Sequence, residues 1–126
     1  MQEKEFLEML DISSIKEDPL RGILKKVPIL TDQLIVELLL LDKGQESAVQ
    51  NHEGSDEVQY IVDGNGTIEV ENDLYEVKSG HAVLVPKSVP HRIIANGGKM
   101  LVISIRTNPG MDSTKKRENT RDQETT

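Results

Sequence analysis

Gly44-Gln45-Glu46-Ser47-Ala48-Val49-Gln50-Asn51-His52-Glu53-Gly54-Ser55-Asp56-Glu57 brings an amide, an imidazole and a carboxylate into one short run, which continues through residues 58–62 to Gly64. Side chains two apart on a strand project to the same side of a sheet. Gln50 and His52 are therefore expected to face one point. Glu57, Gln59 and Ile61 share one face of the next strand, and Val58, Tyr60 and Val62 share the other. A second cluster follows: Gly80-His81-Ala82-Val83-Leu84-Val85-Pro86, then a turn marked by Pro86-Lys87-Ser88-Val89-Pro90, then His91 with Ile93 and Ala95 on its face. Closing such a sheet into a barrel carries its inward faces onto a common axis. Two imidazoles and a carboxylate then meet. That set holds a divalent transition metal and leaves positions open for water or substrate.

Outward from this stretch the chain reads as short strands divided by turns. Residues 34–41 are apolar apart from Glu37 and end at Asp42-Lys43-Gly44. Strands are expected over 58–62, 67–71, 74–77, 81–85, 91–95 and 100–106. Asp63-Gly64-Asn65-Gly66 reads as a hairpin, because glycine and asparagine tolerate positive φ. Asn72-Asp73 and Asn96-Gly97-Gly98 mark further turns. The pattern predicts an all-β, antiparallel sandwich or barrel. Before it, residues 2–10 form a short amphipathic helix or arm, with Phe6, Met9 and Leu10 on one face. Residues 1–26 are thus expected as an N-terminal arm, 27–106 as the barrel and 107–126 as a disordered tail. The tail has almost no apolar side chain beyond Met111 and cannot offset its chain entropy by burial.

Composition narrows the function classes. The chain has 126 residues, enough for one domain with a single core. It has no cysteine, which removes disulfides, thiolate metal sites and cysteine nucleophiles and fits a cytoplasmic location. A formal charge of −7 and an aromatic content of 2% argue against a nucleic-acid partner, which calls for basic patches and stacking platforms. No apolar run is long enough to span a membrane, and the charged start Gln2-Glu3-Lys4-Glu5 does not read as a signal peptide. Ser47, Ser55, Ser88 and Ser104 lack the context of a nucleophile turn.

The two clusters resemble the two motifs of the cupin superfamily. The first motif is a glycine, two histidines one residue apart, a glutamate some four residues later and a closing glycine. Residues 44–64 are similar to it, and residues 80–96 to the second motif, so the resemblance covers about residues 34–106. It implies a double-stranded antiparallel jelly-roll barrel, with family ligand positions on Gln50, His52, Glu57 and His91. Gln50 departs from the commonest pattern, which has histidine there; type I phosphomannose isomerases also carry glutamine at that position. Ser88 stands where a turn glycine is common, and Ala95 where asparagine is usual. Small cupins resemble homodimers, and the apolar 34–41 segment fits that expectation.

A glutamine ligand would make the site harder, shifting preference toward Mn, Fe or Zn, with Ni still compatible. The expected activity is that of a metal-dependent enzyme on a small oxygenated molecule, a dioxygenase or a sugar or keto-acid isomerase. The alternative is a non-catalytic module that binds a small metabolite. Gln50 either ligates the ion or hydrogen-bonds a water on it. Gln59 either contacts substrate or satisfies the core. His81 is expected as a turn-flanking surface residue, Lys87 and Arg92 as solvated charges, and Glu37 as the mark of a solvent or subunit edge.

Overall fold

Alternating and continuous apolar runs build eight strands, seen in a computed structural model that describes residues 9–15 and 23–108. They are β1 (Leu24–Leu30), β2 (Leu34–Leu41), β3 (Glu57–Asp63), β4 (Asn65–Val70), β5 (Asp73–Lys78), β6 (Ala82–Val85), β7 (His91–Ile94) and β8 (Met100–Thr107). One sheet has the order β1-β2-β8-β3-β6 and the other β5-β4-β7, with antiparallel pairing throughout. This is the expected all-β antiparallel jelly roll. The two sheets enclose a core in which Leu41, Ile61, Ile68, Ile93, Met100 and Val102 are all but inaccessible.

Three local readings change. Asp63-Gly64-Asn65-Gly66 is not a hairpin: β3 and β4 lie in different sheets, and Gly64 is the corner between them. Gly64 has φ +88, and a Cβ there would run into the Lys99 carbonyl. The chain leaves one sheet for the other at a point only glycine fits. The tight hairpin follows it, between β4 and β5, whose two-residue loop puts Glu71 at φ 56. Second, β1 begins at Leu24, inside the segment expected as an arm, and Pro28 falls where its register with β2 shifts. Proline is tolerated there because β1 is an edge strand. Third, β8 extends through Thr107 and Asn108 is buried, so ordered structure passes the expected tail boundary. Of the N-terminal helix expected over 2–10, residues 1–8 lie outside the described residues. Met9 and Leu10 are not helical, and a single 3-10 turn follows at Ile12–Ser14, capped by Asp11.

Register decides what fills the barrel. Across β2, β8 and β3 the inward side chains form rows: Ile35–Arg106–Glu57, then Glu37–Ser104–Gln59, then Leu39–Val102–Ile61. The first two rows make a polar block at one end of the interior, and the third begins the apolar packing. All five polar members of that block are at least nine-tenths buried.

Candidate metal centre

His52 lies in the segment between β2 and β3, Glu57 opens β3 and His91 opens β7. The β2–β3 segment is held by hydrogen bonds along β7. Gly44 N donates to Ala95 O (2.8 Å), Ala95 N to Gln45 O (2.8 Å) and Ser47 N to Ile93 O (2.8 Å). It ends where Gln50 and His91 exchange both backbone bonds at 2.9 Å. Residues so paired project to the same face, so Gln50 leaves the backbone on the side of His91. One step on, Ser88 N donates to His52 O (2.9 Å) and Lys87 N to Asp56 Oδ1 (2.9 Å), tying the 86–90 turn to the strand that carries the acid.

His52 Nε2 lies 3.5 Å and His91 Nε2 3.2 Å from Glu57 Oε1. One ligand atom from each of the three side chains lies within 4.8 Å of the other two. The rings of His52 and His91 are 5.4 Å apart between centroids. Glu57 and His91 are buried and His52 is half-buried, so the open side of the cluster is the His52 side. His91 Nδ1 meets Val89 O at 3.0 Å, which places a proton on Nδ1 and turns the Nε2 lone pair toward Glu57. The other oxygen of Glu57 is occupied: Gln59 Nε2 donates to Oε2 at 3.0 Å, and Ser104 Oγ donates to it as well.

Electrostatics follow this geometry. Burial pushes the Glu57 carboxyl up, but the contacts from His91 and Ser104 and the nearby imidazoles outweigh it and hold it at about 2. Burial drives His52 down to about 4, aided by the Arg106 guanidinium. Burial also works against a charged His91, yet its contacts with Glu57 and the Val89 carbonyl raise its pKa above 6.5.

The donor set suits a divalent ion. His52 Nε2, His91 Nε2 and Glu57 Oε1 are all buried and none has a hydrogen-bond partner. Buried acceptors left unmet cost about 1–3 kcal/mol each. Separations of 3.5 and 3.2 Å match neighbouring positions around an ion with bonds of ~2.1 Å. His52, Glu57 and His91 together can hold a metal ion.

The remaining expectations divide. Gln59 points inward, against Glu57. His81 is an exposed turn residue whose Nδ1 accepts from Lys78 N (3.2 Å). Glu37 is corrected: it marks no solvent or subunit edge. It is buried and paired with Arg106, whose Nη1 lies 3.1 Å from Oε1 and whose Nη2 donates to Oε2 at 3.3 Å. Arg92 faces outward as a surface charge, and it is paired. It bridges Glu46 (2.7 Å) and Glu69 (2.6 Å) on the outside of the smaller sheet. Ser104 and Arg106 escaped the sequence reading. The signal that finds them is register: both sit on the face of β8 that opposes Glu57 and Gln59.

Comparison with known proteins places this geometry. Residues 37–106, more than half of the chain, match the Cupin domain family. An uncharacterised protein of Methanocaldococcus jannaschii, MJ1618, is 34% identical over 50 residues, a span of 40% of each chain. The crystal structure of TT1209 from Thermus thermophilus superposes with a TM-score of 0.74 at 22% identity, covering 80% of this chain and 97% of that one. A putative sugar phosphate isomerase from Acidithiobacillus ferrooxidans is 27% identical with a TM-score of 0.54. That match covers 60% of this chain and 50% of the other. With a jelly roll of two antiparallel sheets and both motifs inside the matched residues, the chain belongs to the cupin family.

Proposed function

We propose that this chain is a metal-dependent enzyme acting on a small oxygenated metabolite in the cytoplasm, of dioxygenase type or of sugar or keto-acid isomerase type. One observation carries the reading: three buried lone pairs, on His52, His91 and Glu57, converge without hydrogen-bond partners. In this reading those residues hold the ion, and Gln50, paired to His91 through the backbone, adds a neutral oxygen. The donor set favours Mn, Fe or Zn, with Ni compatible. When bound, the ion supplies Lewis acidity toward a substrate oxygen or a place for dioxygen beside it. The chain's own residues fix the donors. Ser104 and Gln59 hold Oε2 of Glu57 so that Oε1 stays directed at the imidazoles, and Val89 O fixes the His91 tautomer. Likeness to a putative sugar phosphate isomerase, across 50% of that protein, supports the isomerase form.

A non-catalytic metabolite-binding module is the second reading. It is favoured by the inward neighbours of the ligands on β2, β3 and β8. Glu37, Gln59, Ser104 and Arg106 offer no titratable group outside an ion pair. Elemental analysis of protein purified without chelators, beside His52→Ala, separates the readings. Stoichiometric Fe or Mn with oxygen uptake is the dioxygenase outcome, and Zn the isomerase outcome. Metal content should fall to background in the variant. A wild-type chain that carries and takes up no metal removes the enzyme reading.

A further inference from the structure

Two polar atoms beside the ligands are left without hydrogen bonds, and they are of opposite kind. Gln59 is 2% exposed, and its Nε2 donates to Glu57 Oε2. An ionised carboxylate only accepts, so this contact fixes which way the amide is turned. Its Oε1 is then a buried acceptor with no donor. Arg106 is 4% exposed, and its Nη1 is a buried donor that makes no hydrogen bond. Glu37 Oε1 lies 3.1 Å from that nitrogen without hydrogen-bond alignment, and the Nη2 bond to Oε2 is long at 3.3 Å. The guanidinium therefore keeps a donor unspent.

Register puts both atoms around the same ligand. Arg106 stands directly opposite Glu57 across β8 and β3, and Gln59 is two residues along β3 on the same inward face. Arg106 and Gln59 are thus diagonal neighbours, roughly 7–8 Å apart at the backbone, and Gln59 meets Glu57 at Oε2. Charge completes the description. A divalent ion, one ionised glutamate and a neutralised Glu37–Arg106 pair leave about one positive charge when both imidazoles are neutral.

We infer that the ligand of this site is a small 2-hydroxycarboxylate, its carboxylate accepting from Arg106 and its hydroxyl donating to Gln59. This rests on the metal reading above. A neutral diol could accept from Nη1 but would leave the site charge uncompensated. A plain carboxylate would leave Gln59 Oε1 unmet. A molecule carrying an anionic acceptor and a hydroxyl donor on adjacent carbons satisfies both atoms and the charge while presenting an oxygen to the ion. Arg106 and Gln59 then set specificity rather than hold metal.

The test uses the full chain loaded with Mn(II), or with Zn(II) if Mn(II) does not bind, and calorimetric titration with glycolate, acetate and ethylene glycol. Glycolate should bind about tenfold or more tighter than either of the others, the scale of a hydrogen bond to a charged group. Gln59→Leu should reduce glycolate to the affinity of acetate. Exchanging the ion pair for apolar groups of similar size, Glu37→Leu with Arg106→Met, keeps the interior packed and should remove at least about tenfold of glycolate affinity while metal uptake persists. Should that pair not fold, Arg106→Lys retains the charge, loses the fork, and should weaken glycolate and acetate together while metal uptake persists. Metal uptake without a glycolate preference overturns this inference and leaves the metal reading standing, as does a preference over acetate that survives Gln59→Leu or a glycolate affinity untouched by the Arg106 variants. Failure to take up either metal overturns both.

Discussion

Glu57 is kept ionised although burial works to raise its pKa, and its two histidine neighbours are pushed in opposite directions. His91 is raised above 6.5, and His52 is lowered to about 4. A metal must displace a proton from His91 whenever the pH is below its raised pKa, but from His52 only near pH 4. Affinity should therefore be level at high pH. It should then fall by about tenfold per pH unit as the pH drops through the His91 value, the signature of one competing proton. The slope should double only near pH 4. Zn(II) or Mn(II) titrations between pH 5 and 8 check this; a two-proton slope above pH 5 would contradict it. The clustered trio was legible in the sequence, because alternation placed His52, Glu57 and His91 on inward faces. Arg106 and Ser104 were not. In β8 the outward residues Leu101, Ile103 and Ile105 are more apolar than the inward Met100, Val102, Ser104 and Arg106. A rule of apolar inside, polar outside turns that strand over. The same rule sent Glu37 to the surface.

At the scale of elements, two backbone positions bound what the turns tolerate. Gly64 makes the corner between sheets at positive φ with no room for a Cβ. Gly64→Ala should cost about 3 kcal/mol, combining left-handed strain with overpacking against backbone. Ser88 holds φ 67 in the 86–90 turn, where a side chain is strained. Ser88→Gly should raise stability by about 0.5–1 kcal/mol, the relief of strain exceeding the added entropy of the unfolded chain. Denaturant midpoints for both variants check the pair; the opposite sign at either position would refute the account. Ser88 was readable as the residue standing in a glycine's place. The corner at Gly64 was not, since Asp63-Gly64-Asn65-Gly66 carries the composition of a hairpin and only the pairing partners of β3 and β4 reveal otherwise. β1 was hidden by Lys25, Lys26 and Pro28, residues that suit an edge and read as non-strand.

For the whole molecule, the outward face of the larger sheet carries an apolar group. Val58 pairs with Leu84 on one side and with Ile105 on the other, and all three are exposed, as is Tyr60. We propose that a second copy of the chain covers this face, a homodimer; contiguous exposed apolar surface of this kind marks an interface. Light scattering should give twice the chain mass of 14.1 kDa, and Val58→Lys with Leu84→Lys should return it to the single mass without loss of fold. A wild-type chain that scatters at 14.1 kDa would end the idea. No helix among the described residues is long and apolar enough to cross a membrane.

The rows of the interior carry a last consequence. Residues 37, 57, 59, 104 and 106 form the polar half, and the packing that starts at Leu39, Val102 and Ile61 forms the apolar half. Thermal robustness and chemical choice therefore draw on separate side chains of the same three ribbons. Selection, or an engineer, is free to retool one end of the hollow while the other keeps the vessel intact.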